Sequence, residues 1–151
     1  MQTVTVFVVL VAVAVAAAFV VRRRSVPDAP TQSSWTVPAQ VDRADFDRPD
    51  APWLVLVFSS ATCLSCAGTW SKAEQLASPH VAAQLVEAVE RKDLHERYRI
   101  DAVPCVVVAD REGVVRTSFL GEPSTADLWA AVAELREPGS TPPGCTDHGS
   151  A

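Results

Sequence analysis

The stretch Trp53-Leu54-Val55-Leu56-Val57-Phe58-Ser59-Ser60-Ala61-Thr62-Cys63-Leu64-Ser65-Cys66 decides how the chain is read. Its first six residues form an unbroken apolar run of strand length, the pattern of a central strand covered on both faces. The run leads to two thiols three positions apart, and a helix-compatible segment follows over 67–77, with Trp70, Ala73 and Ala77 on one stripe. Ser78 and Pro79 end it. A dithiol at a strand-to-helix junction can exchange electrons as thiols and disulfide. Near a helix N-terminus, unpaired N–H groups and the helix dipole favour the thiolate of the first cysteine.

Working outward, residues 84–89 alternate as a second main strand. Residues 92–98 read as a short helix with Leu94 and Tyr98 on one face, and 105–109 as another buried apolar strand. Asp110-Arg111-Glu112-Gly113 is a hairpin connection to a strand over 114–119, which makes those two strands antiparallel. A last helix starts at Ser124, with Asp127 three residues on and Leu128, Ala131, Val132 and Leu135 on one face. Upstream, 35–37 suggests a short first strand and 41–46 a short helix, both limited by Pro38 and Pro49. The order implies an α/β domain, a mixed central sheet between helices.

At 151 residues with a net charge of -5 and no basic stripe, the chain suits one small domain and excludes nucleic acid as a partner. Cys63, Cys66, Cys105 and Cys145 are too sparse for a disulfide-built scaffold. A C-x-x-C can be half of a zinc site, but no second half follows, so no metal and no cofactor beyond the Cys63–Cys66 pair is expected. Strand alternation turns Cys105 into the core. Cys145 with His148 reads as an idle thiol in a polar tail, a metal ligand or regulatory disulfide being the alternatives. His80 and His95 read as surface residues and Trp70 as core packing. The charges over 90–99 read as a solvated face.

Residues 4–21 lack charge and are dominated by Val and Ala; as a helix they extend roughly 27 Å, close to the hydrocarbon thickness. A single transmembrane anchor over 1–24 is expected in preference to a cleaved signal peptide, because Arg22, Arg23 and Arg24 follow the apolar run instead of preceding it. Those arginines place the soluble domain on the cytoplasmic side, with an extracytoplasmic face as the alternative. A flexible linker over 25–34, a domain over 35–137 and a disordered tail over 138–151 complete the expected organisation.

Three landmarks, in order, resemble the thioredoxin family: the apolar strand ending in Cys63-Leu64-Ser65-Cys66; Tyr98-Arg99-Ile100-Asp101-Ala102-Val103-Pro104; and the hairpin from Val106 to Val115 followed by Phe119-Leu120-Gly121. The resemblance implies a three-layer fold, and a cis Pro104 that presents the Val103 backbone to a substrate segment. It further implies thiol–disulfide exchange with Cys63 as nucleophile and Cys66 as resolving thiol, protein thiols or disulfides as substrates, and a reducing or oxidising redox partner. The chain departs from the family at Val57, where a buried acid is common, at Thr62, where Trp is common, and in the Leu64-Ser65 pair. Those departures keep a second reading open, a non-catalytic interaction or redox-sensing module at the membrane.

Overall fold

A computed structural model describes residues 35–140. The central strand forms as expected: β1, Trp53–Ser59, is buried along nearly its whole length. Beside it runs β2, Val81–Glu87, in parallel, with Trp53 opposite Val81. On the other side β3, Cys105–Ala109, is antiparallel, with Phe58 opposite Cys105, and β4, Val115–Leu120, closes the sheet in the order β2-β1-β3-β4. The β3–β4 hairpin turns through Gly113 at φ 80°, where a Cβ would stand 2.0 Å from the Val41 carbonyl oxygen. Only glycine satisfies that turn and that approach together.

Period-two alternation divides the strands between two cores. Leu54, Leu56, Phe58, Cys105 and Val107 face one side with Val86, Leu94 and Tyr98. Val55, Val57, Val106 and Val108 face the other with Ala73, Leu128 and Val132. Three helices supply the covers: α1, Cys66–Glu74, and α3, Thr125–Arg136, on the valine face, and α2, Lys92–Arg97, on the other. The result is the three-layer arrangement with a mixed sheet. Helix α3 starts where its cap predicts, since the Ser124 hydroxyl accepts the Asp127 N–H at 3.1 Å.

The amino-terminal pair of elements requires correction. Residues 35–38 form no strand; Gln40 makes an isolated bridge to Val114, and the helix expected over 41–46 is a single 3-10 turn, Arg43–Asp45. Polar contacts fix this segment. The Asp42 carboxylate accepts the Ala44 N–H at 3.0 Å, and the buried Arg43 guanidinium donates to the carbonyls of Asp110 (2.7 Å) and Ala51 (2.9 Å). The second strand also begins three residues and ends two residues earlier than 84–89, because the Glu87 carboxylate accepts the Val89 and Glu90 N–H groups and turns the chain there. The anchor expected over 1–24, the linker over 25–34 and all but the first residues of the tail lie outside the described residues, among which no helix is long and apolar enough to cross a membrane.

Candidate active site

The loop from β1 to α1 tightens into turns that set the two sulfurs together. Cys63 N–H donates to the Ser60 carbonyl at 3.0 Å, and Cys66 N–H to the Cys63 carbonyl at 3.3 Å. Cys63 and Cys66 are joined as a disulfide, S–S 2.11 Å and Cα–Cα 5.4 Å. They differ in access: Cys63 is half-buried, Cys66 is 4% exposed, and Leu64 between them is 100% exposed. Helix α1 begins at Cys66, so Cys63 precedes the helix instead of opening it. In its first turn, among the described residues, the Ala67 and Gly68 N–H groups have no partner, leaving positive partial charge beside the sulfurs.

A cleft of about 320 Å³ adjoins the disulfide, lined by Ser59, Ser60, Ala61, Cys63, Cys66, Ala67, Trp70, Leu85 and Glu87. Trp70 both packs on the valine core and forms a wall of this cleft, so its assignment to the core alone was incomplete. Glu87, passed over in the sequence, holds the loop. Its carboxylate accepts the Ala61 N–H at 3.0 Å while also taking the Val89 and Glu90 N–H groups. The Glu90 N–H first, with those of Val89 and Ala61, holds this carboxyl below its usual range. An acid at the end of a strand whose next residues turn was the signal available for it.

Across β1 from that cleft, the Val103–Pro104 bond is cis, as expected from the resemblance. Continuing the β1–β3 register beyond Phe58 and Cys105 puts Pro104 opposite Ser59, where the cysteine loop departs. The Pro104 carbonyl accepts the Gly121 N–H at 2.8 Å. Val103 and Pro104 do not line the cleft. Lys72 Nζ reaches Glu122 Oε1 at 2.6 Å and ties α1 to the chain after β4. Gly68 admits this contact, since a Cβ there would lie 2.8 Å from the same oxygen.

Beneath α1 the position of the departed acid is filled by Val57, fully buried among aliphatic groups. Among the described residues the one buried carboxylate is Asp110, at the other end of β3. Cys105 is 1% exposed in the Phe58 and Leu94 core, and burial pushes its thiol up to about 11, which keeps it protonated and inert. His95 is not a surface residue. Its Nε2 lies 3.0 Å from the Val86 carbonyl oxygen, and its ring meets Phe58 edge-on at 5.2 Å. His80 is exposed. Arg97 lies on the exposed face expected for it, and from there its guanidinium reaches Asp45 Oδ1 at 2.9 Å.

No protein-family model and no curated protein matches the sequence. Among solved structures, the germline-specific thioredoxin Deadhead from Drosophila melanogaster is 24% identical, with a TM-score of 0.51 over 58% of this chain and 84% of that one. The chain has the thioredoxin fold. A malarial protein matches with a TM-score of 0.50 at 15% identity, over 55% of this chain and 96% of that one. In this thioredoxin-like chain, the C-x-x-C pair stands at the end of the central strand, and the sheet is a mixed four-stranded one with helices on both faces.

Proposed function

We propose that the chain is a thiol–disulfide oxidoreductase acting on protein disulfides through Cys63 and Cys66. The observation that carries this reading is the asymmetry of the pair at an open cleft: Cys63 is half-buried in the loop, while Cys66, the first residue of α1, is buried. In the reducing direction, the Cys63 thiolate attacks one sulfur of a substrate disulfide, forming a mixed disulfide and releasing the other substrate sulfur as a thiolate. The Cys66 thiolate then attacks Cys63 Sγ and releases the remaining substrate thiolate. Two electrons pass to the substrate, and a dithiol reductant restores the pair. Val103 contributes the substrate rail: among the described residues its backbone N–H and C=O take no partner, which leaves them free to pair with an extended segment.

Reduction of insulin disulfides with a dithiol donor tests the reading. Cys63→Ser is expected to reduce turnover to background, and Cys66→Ser to accumulate covalent mixed disulfides visible on non-reducing gels. Full activity in the Cys63→Ser protein overturns the assignment. A wild-type pair that is reducible but exchanges with no protein disulfide supports the non-catalytic module.

A further inference from the structure

Serine at a helix N-cap ordinarily takes extended backbone and accepts an N–H from the first turn. The chain contains both this arrangement and a departure from it. Ser124 caps α3 at φ −66°, ψ 155°, its hydroxyl on the Asp127 N–H. Ser65 occupies the same position on α1, but at φ −84°, ψ −10° it makes no cap bond. Its Oγ lies instead 3.8 Å from Cys63 Sγ. A disulfide sulfur carries no hydrogen, so the hydroxyl is the donor.

We propose, on the exchange reading above, that Ser65 is a catalytic residue whose hydroxyl holds Cys63 Sγ as the thiolate once the disulfide is reduced. A disulfide sulfur is a weak acceptor, whereas a thiolate is a full anion whose bond to a hydroxyl is charge-assisted, shorter and stronger. The bond therefore favours the reduced, ionised state. Other groups near the pair do not take this part. Thr62 Oγ1 is 3.1 Å from Ser60 Oγ, and Lys72 is committed to Glu122. Glu87, from the end of β2, lines the same cleft as an anion and opposes ionisation of Cys63. With only Val57 beneath the helix, the Ser65 hydroxyl joins the Cys66 S–H of the reduced pair and the free Ala67 and Gly68 N–H groups in favouring the thiolate. By stabilising the reduced form, Ser65 also makes the disulfide a stronger oxidant.

The test is titration of the phosphine-reduced full-length chain by thiolate absorbance near 240 nm, with the pH dependence of Cys63 alkylation by iodoacetamide read by mass spectrometry. Ser65→Ala is expected to raise the Cys63 pKa by about one unit, with about tenfold slower alkylation below it. Ser65→Thr, which keeps the hydroxyl, is expected to restore the wild-type value. A Ser65→Ala protein that titrates as wild type overturns the proposal, as does a Ser65→Thr protein shifted as far as Ser65→Ala. A Ser65-dependent shift in a chain that reduces no insulin supports the contact and counts against the exchange reading alone.

Discussion

Against the helix that carries Cys66 the sheet presents aliphatic side chains, Val55, Val57, Val106 and Val108, met by Ala73, Leu128 and Val132. Against α2 and the amino-terminal segment it presents Leu54, Leu56 and Phe58 to a layer stitched with polar contacts: Tyr98 to Asp45, His95 to the Val86 carbonyl, Arg97 to Asp45 and Asp42. The contrast concerns control. An aliphatic layer offers the sulfurs above it no proton and no charge, so the groups that adjust them lie in the loop and cleft. The polar layer serves position, pinning an amino-terminal segment that has no strand of its own.

The largest break in that contrast comes from putting charge beneath α1. Val57→Asp places a carboxyl among Ala73, Val106 and Leu128 with no donor among the described residues. Urea unfolding is expected to show a loss of about 3–5 kcal/mol, the range for an uncompensated buried charge. A loss under about 1 kcal/mol means a donor or water reaches the site, and the two faces are then alike.

A smaller effect is expected on the polar face. The Tyr98 hydroxyl donates to the Asp45 carboxylate and accepts the Asp42 N–H at 2.9 Å. Burial, reinforced by the Asp45 contact, pushes the phenol up to about 12. Tyr98→Phe keeps the ring against Phe46 and Phe58 while leaving both partners short of a bond. Unfolding is expected to become easier by about 1–2 kcal/mol, without change in the Cys63 titration. A shifted Cys63 titration would show that the polar face reaches the sulfurs.

The same contrast explains what was legible in the sequence. Five buried residues in a row, Cys105 to Ala109, announce β3 with its bounds, and the apolar run before Cys63 announces β1, because burial on both faces writes itself as an uninterrupted pattern. The polar layer follows no period. Arg43 finds carbonyls from Asp110, distant in sequence, and His95 one from Val86, so a segment read as strand and helix became a 3-10 turn and a histidine read as exposed proved buried. At the site the cysteines and Pro104 carried their signal in type and spacing. Glu87 and Ser65 did not, since each acts through a local bond that composition does not encode.

Glu87 gives the smallest and most specific effect, because it is only half-buried yet joins the cysteine loop to the turn after β2. The Glu90 N–H first, then Val89 and Ala61, lower its folded pKa from an ordinary 4.5, so the unfolded chain binds a proton at a pH where the folded chain does not. Its contribution to stability is therefore complete above 4.5 and disappears as pH falls through the lowered value. Glu87→Gln keeps a carbonyl acceptor but loses one oxygen and the charge. At neutral pH it is expected to loosen the clamp slightly, and below 4.5 its stability should fall less steeply with acid than the wild type's in parallel urea titrations. It should also lower the Cys63 pKa, since removing an anion from the cleft favours the thiolate. Ser65→Ala should move the same titration upward. If both variants move it the same way, the sulfurs respond to loop geometry and not to the charges and donors around them.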